Sequence, residues 1–170
     1  MPAAKPQGEV RQRVAINLDA CIECRSCAAA CLYGHHELPI VHFARVGAAM
    51  LPAICRQCLD APCVAACPWD AMRKDESGAV YRAIFRCRGC GSCVQACPFG
   101  VLSTEMHNGE IAKCDLCYDL IDKSDNDYKP RCVASCPTGA LHFIEETQAQ
   151  ELRLVVLGSR TVGQHPIRRR

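Results

Sequence analysis

Apolar and polar positions in this chain group into short runs, and each run predicts a small element. Val101-Leu102-Ser103-Thr104-Glu105-Met106 and Glu110-Ile111-Ala112-Lys113 flank His107-Asn108-Gly109, and an Asn-Gly turn between two such runs predicts a hairpin. A weaker hairpin is predicted around Ser77-Gly78. Ala28-Ala29-Ala30 and Val64-Ala65-Ala66 are small, helix-tolerant runs, each long enough for about one turn. From Glu145 to Gly163 an apolar stretch carries Leu152, Leu154, Val155, Val156 and Leu157. It reads as a docking surface or as a strap from one module to the other, and its pattern does not decide its secondary structure. The tail His165-Pro166-Ile167-Arg168-Arg169-Arg170 reads as a flexible basic end or a partner-binding arm. No apolar run approaches the ~20 residues of a membrane span.

Composition changes the picture. A chain of 170 residues suits one compact domain or two small ones, yet aromatics are only 5% and 16 of the residues counted as hydrophobic are Cys. The organic core is thin, and inorganic cores would make good the shortage. Residues Met1 to Gly8 carry neither an apolar leader core nor a twin-arginine pair, so the chain reads as cytoplasmic. A partner with its own export signal could still take it along. In a reducing compartment an even number of Cys points to metal rather than disulfides. A formal net charge of +2 gives no reason to expect nucleic acid.

In order, the cysteines form four groups: Cys21, Cys24, Cys27, Cys31; Cys55, Cys58, Cys63, Cys67; Cys87, Cys90, Cys93, Cys97; and Cys114, Cys117, Cys132, Cys136. The first and third are C-x2-C-x2-C-x3-C, the spacing in which three thiolates wrap one [4Fe-4S] cubane and the fourth ligates a second cluster. The other two groups widen only the middle gap. A second repeat follows the last three groups: Cys67-Pro68-Trp69-Asp70-Ala71-Met72, Cys97-Pro98-Phe99-Gly100-Val101-Leu102 and Cys136-Pro137-Thr138-Gly139-Ala140-Leu141. Proline, with fixed φ and no N–H, turns the chain off the cluster and into a short strand. The implied fold class is α+β, with ferredoxin-like units of short hairpins, short helices and many loops. Zinc is the alternative occupant, since C-x2-C pairs also build four-cysteine zinc sites. Triplets at x2-x2 spacing followed by x3-C-P favour the cubane. Every group has a fourth Cys, so no iron is left open for radical chemistry with S-adenosylmethionine, and no catalysis is expected.

These residues resemble the four-cluster ferredoxin-type subunits of molybdenum and tungsten oxidoreductases, including dimethyl sulfoxide reductase and formate dehydrogenase, with relatives serving carbon monoxide dehydrogenase and some hydrogenases. The resemblance runs from Cys21 to about Phe143. Its most specific parts are Cys55-Arg56-Gln57-Cys58 through Cys67-Pro68, Cys87-Arg88-Gly89-Cys90-Gly91-Ser92-Cys93, and Lys113-Cys114-Asp115-Leu116-Cys117 leading to Cys132-Val133-Ala134-Ser135-Cys136-Pro137. It implies two nested two-cluster modules, an outer one of residues 1–50 plus 110–170 and an inner one of residues 51–109. It further implies four [4Fe-4S] clusters: cluster 1 on Cys21, Cys24, Cys27 and Cys136; cluster 2 on Cys55, Cys58, Cys63 and Cys97; cluster 3 on Cys87, Cys90, Cys93 and Cys67; cluster 4 on Cys114, Cys117, Cys132 and Cys31. From spacing alone, sequential pairing of the first group with the second stays open.

The same resemblance implies an electron-transfer subunit without catalysis of its own. Its partners would be a catalytic tungsten or molybdenum pterin subunit and an additional flavin subunit; apart from the resemblance, clusters near both ends could also let copies chain together. The short chain is similar to the small electron-transfer subunit of bacterial tungsten aldehyde oxidoreductases. Carbon monoxide dehydrogenase, formate dehydrogenase and hydrogenase partners are alternatives, as is a free polyferredoxin shuttle. A sensor would need an output module, for which the space outside the Cys groups is too small. Arg25, Arg56, Arg86, Arg88, Lys113 and Arg131 lie next to ligands in sequence, and they read either as charges favouring reduced clusters or as a solvated basic face. Trp69 and Phe99 are expected to pack against a cluster or the neighbouring module, and the histidines, His35-His36 included, to serve as surface or loop residues.

Overall fold

The Cys-Pro turns are built alike. In each, the third residue after the Cys donates its N–H back to the Cys carbonyl: Asp70 to Cys67 at 3.4 Å, Gly100 to Cys97 at 3.3 Å and Gly139 to Cys136 at 3.2 Å. That third residue takes left-handed backbone every time, with φ of 49°, 60° and 62°. The chain then leaves as a strand, as the repeat predicts. These features come from a computed structural model that describes residues 12–35, 40–46, 49–58, 60–75, 78–104, 109–117 and 128–157. The basic tail beyond residue 157 and the first eleven residues lie outside the described residues.

The described chain opens with β1 (Gln12–Ile16) and α1 (Ser26–Gly34), followed by a hairpin of β2 (His42–Val46) and β3 (Ala49–Ala53). Next come α2 (Pro62–Ala65) and the hairpin of β4 (Met72–Lys74) and β5 (Val80–Arg82). A single 3-10 turn at Ile84–Arg86 leads to α3 (Ser92–Ala96), then to the hairpin of β6 (Ser103–Thr104) and β7 (Ile111–Ala112). The chain ends through α4 (Arg131–Ala134), β8 (Leu141–Glu145), α5 (Glu146–Glu151) and β9 (Val155–Val156). The short helices have local causes. Pro62 opens α2 at a position where its missing N–H has no helical partner, and α4 starts directly after Pro130.

Both predicted hairpins form. Around Ser77-Gly78 the turn is closed by Asp75, whose carboxylate accepts the N–H of Ala79 at 2.8 Å, and Gly78 supplies φ of 85°. In the Asn-Gly hairpin Ser103 stands opposite Ala112 and Thr104 opposite Ile111, with Val101, Leu102 and Lys113 at its base outside the strands; residues 105–108 lie outside the described residues. The hairpin of β2 and β3, with Phe43 opposite Pro52, fills the gap between the first two Cys groups. Proline is tolerated there because both members of a two-stranded ribbon are edges.

Antiparallel pairing places β1 between β8 and β9, with Ile16 opposite both Leu141 and Val155. This settles the Glu145–Gly163 stretch as far as Leu157. It folds back on the β1 core rather than strapping one module to the other: Glu145 and Gln148 form a capping box at the start of α5, Val155 is buried, and Leu157 packs on the same core as Val14 and Ile16. Among the described residues two larger apolar cores result, with a small third one of Cys31, Ile40 and Ala112. One gathers Met72, Val80, Val101, Leu102 and Ile111 around Cys55, Cys63 and Cys93. The other gathers Val14, Ile16, Leu116, Leu141 and Val155 with Cys132. Helix α1 packs on α4, and α2 on α3.

Gly89 is the glycine with least latitude. Its φ is +65°, and a Cβ there would stand 2.1 Å from the carbonyl oxygen of Gly109. Gly89→Ala is expected to destabilise the protein by about 2 kcal/mol or more, from the left-handed conformation plus the backbone clash. Thermal unfolding of the two proteins, equally loaded with metal, checks this.

Candidate metal centres

Each C-x2-C loop bends by the same device. The residue before the second Cys is left-handed in all four: Glu23 (φ 55°), Gln57 (49°), Gly89 (65°) and Leu116 (63°). Three of these are not glycine, and each left-handed L-residue costs roughly 1–2 kcal/mol. Alternating right- and left-handed residues turn successive N–H groups toward one concavity, a form that holds anions and iron-sulfur clusters. The third Cys of every group then sits on a short helix: Cys27 on α1, Cys63 on α2, Cys93 on α3 and Cys132 on α4.

The sulfurs meet across groups. Cys21, Cys24, Cys27 and Cys136 together line an open cavity of ≈ 400 Å³. Cys55, Cys58, Cys63 and Cys97 line another of ≈ 310 Å³. Cys93 has Cys67 and Cys87 as charge neighbours, while Cys90 lies at the surface within hydrogen-bond reach of the Trp69 indole. Cys31 has Cys114 and Cys117 as charge neighbours, and Cys132 has Cys117 and Cys31. All sixteen thiols are free of disulfides. Among the described residues no three His, Cys, Asp or Glu side chains converge on a point as ligands of one ion. Sulfurs spaced around a volume, faced by backbone N–H groups, fit a cubane whose four irons each take one thiolate.

Around this sulfur frame the basic residues divide. Arg25 lies over Phe43 at 5.5 Å, Arg56 over Phe99 at 4.2 Å and Arg88 over Trp69 at 5.6 Å. Arg86 pairs with Asp70 at 2.8 Å. Arg131 donates to the sulfur of Cys117 from both backbone and side chain, and Lys113 is buried. Phe99 lines the second cavity as expected, whereas Trp69 is half exposed and Tyr33, at 80% exposure, packs on little. His35 lies in the turn after α1, half exposed, and brings a ring nitrogen to 3.4 Å from the sulfur of Cys117. Only the fold brings that pair together, so no local motif announces it.

Comparison with known proteins matches residues 46–146 to the 4Fe-4S dicluster domain and residues 18–34 to a 4Fe-4S binding domain. The Escherichia coli K12 electron transport protein HydN is 33% identical, over 78% of this chain and 87% of its own length. An iron-sulfur protein of Rhodospirillum rubrum is 36% identical over 76% of this chain and 80% of its own. The B subunit of the E. coli K12 anaerobic dimethyl sulfoxide reductase is 34% identical over 75% and 70%. The chain belongs to the 4Fe-4S dicluster family. The resemblance drawn from the motifs is thereby borne out at the level of family. Among the described residues of this dicluster chain, no helix is long and apolar enough to cross a membrane.

Burial sets the thiol chemistry of the dicluster chain. It pushes Cys31 and Cys132 up to about 12 and Cys63 to about 11, and it raises Cys27, Cys58, Cys93, Cys114 and Cys117 as well. The exceptions lie at the surface. A hydrogen bond with the Ser26 hydroxyl at 3.3 Å lowers Cys24, and one with Ser92 at 3.5 Å lowers Cys90. Burial works against ionisation of Cys136, but N–H groups including that of Leu141, with the Thr138 hydroxyl, outweigh it and lower this thiol too. In the metal-free fold, Cys31, Cys63 and Cys132 keep protons that an unfolded chain loses from its ordinary thiol value of 9.0. That fold therefore loses stability as pH rises through 9.0. Ligation has the opposite sign, because iron takes thiolates and releases those protons. Anaerobic acidification of the loaded protein is expected to bleach cluster absorbance progressively. Equal loss on the alkaline side would contradict this.

Proposed function

We propose that the protein is a non-catalytic electron-transfer subunit holding four [4Fe-4S] clusters in two nested modules, wired as the four sets named from the resemblance. One observation carries the wiring: the ≈ 400 Å³ cavity joins three Cys of the first group to the fourth Cys of the last. The ≈ 310 Å³ cavity, which joins the second group to Cys97 of the third, supports it, as does the packing of α1 on α4 and α2 on α3. Four thiolates per cluster leave no iron open to substrate, which supports relay rather than catalysis.

Surface placement suggests the path. Cys24 of cluster 1 and Cys90 of cluster 3 are exposed, so electrons exchange with other proteins there. Clusters 4 and 2 lie between, meeting where the charge of Cys55 acts on Cys114. The order is then 1, 4, 2, 3. Beside cluster 3, Trp69, Ile84 and Phe85 are large apolar side chains left exposed, a patch suited to a redox partner. Relatives named as parts of reductases favour a catalytic oxidoreductase subunit as that partner. The motif resemblance narrows it to a tungsten or molybdenum pterin enzyme, with a tungsten aldehyde oxidoreductase first and an accompanying flavin subunit in the complex.

Protein made without oxygen is expected to carry about 16 iron and 16 acid-labile sulfide per chain, with coupled signals of reduced cubanes. Cys24→Ser and Cys136→Ser are expected to alter the paramagnetic signal of one and the same cluster. About four zinc without sulfide would overturn the reading, and two different clusters responding would overturn the nesting alone.

A further inference from the structure

Two polar side chains sit where the inner and outer Cys sets meet. Lys113 is only 5% exposed and Gln57 only 2%. The Lys113 ammonium donates to the carbonyl of Val80 and, at 2.5 Å, to that of Cys114. Gln57 repeats the bridge: its amide donates to the Cys114 carbonyl at 2.8 Å and accepts the Val80 N–H at 2.7 Å. Val80 belongs to the core around Cys55 and Cys63, and Cys114 leads the last group. One cation is thus clamped between two sulfur sets. Among the described residues the salt bridges join other groups, and none reaches Lys113.

A buried ammonium without a carboxylate is costly, and the fold keeps this one by giving it carbonyls and sulfur. We propose that Lys113, oriented by Gln57, is a positioning residue whose fixed charge sets the potentials of clusters 2 and 4 together, and so holds the electron step between modules near balance. The proposal rests on the four-cluster reading. That step moves one electron from one cubane to the other and no atom, so the reduced partner gains one negative charge as the donor loses one. A cation between them stabilises whichever is reduced. Its field reaches both sets, since the ammonium is held on the Cys114 carbonyl and on that of Val80, which packs in one core with Cys55 and Cys63. The arginines differ: Arg25 and Arg88 are exposed and stacked on rings, and Arg86 is exposed and paired, where water screens charge.

The test is a redox titration of the full, loaded chain by electron paramagnetic resonance, comparing Lys113→Met and Lys113→Arg. A water-soluble relaxation agent distinguishes surface clusters from interior ones. In Lys113→Met, the reduced-to-oxidised ratio of the two interior clusters at fixed ambient potential is expected to fall about tenfold, 59 mV for a one-electron couple. The surface clusters keep their potentials, and Lys113→Arg restores the interior pair. Unchanged potentials in a fully loaded Lys113→Met, or equal shifts in all four clusters, would overturn the proposal. Should Lys113→Met fail to load, Gln57→Glu sets a carboxylate beside the ammonium in nearly the same shape. The same two clusters must then become harder to reduce, and their constancy would overturn the proposal. Iron and sulfide in the unaltered protein judge the four-cluster reading separately, so its failure is not mistaken for failure of the Lys113 proposal.

Discussion

Gathered sulfur is the constraint on which the rest of the structure depends. Thiolates repel one another and resist burial, as the raised Cys31, Cys63 and Cys132 show, so a fold that brings four together must supply both a positive centre and N–H groups facing them. Nearly every local feature answers that demand. The left-handed residue in each C-x2-C loop turns N–H groups inward, the short helices present the third sulfur, and the Cys-Pro turns end the approach and carry the chain away. The remaining elements are slight: among the described residues, four small sheets, most of two strands. With so little apolar surface, metal held by these sulfurs would cross-link the chain.

Much of this was legible in the sequence because it is local. The four groups, the Cys-Pro turns and both hairpins follow from spacing and from residues whose backbone preference is strong, such as Asn108-Gly109 and Pro98. Asp70 shows where that limit lies. It stands where Gly100 and Gly139 stand in the other repeats and adopts their left-handed turn, with a carboxylate that holds Arg73 and Arg86. Nothing short-range in Trp69-Asp70-Ala71 distinguishes that turn from an ordinary one.

What sequence did not reveal depends on distant partners. The apolar run at Val155 could be read as strap or docking surface until β1 supplied its neighbour. The six basic residues beside ligands looked equivalent, yet rings take three, Asp70 takes Arg86, Cys117 takes Arg131, and Lys113 alone is enclosed. His35 reaches Cys117 across 82 positions. Such outcomes are set by which surfaces the sheets and helices press together, and a residue's type carries little of that information.

The pairing of β1 with β8 joins the start of the described chain to a segment well over a hundred residues later. During synthesis the hairpins and sulfurs between Cys55 and Ile111 have their partners as soon as that stretch emerges, while β1 and the first Cys group wait for Leu141. The inner hairpins thus close on near neighbours in the chain, while β1 and the first Cys group depend on residues more than a hundred positions away. The loop between them is long, so its closure carries the larger entropy cost.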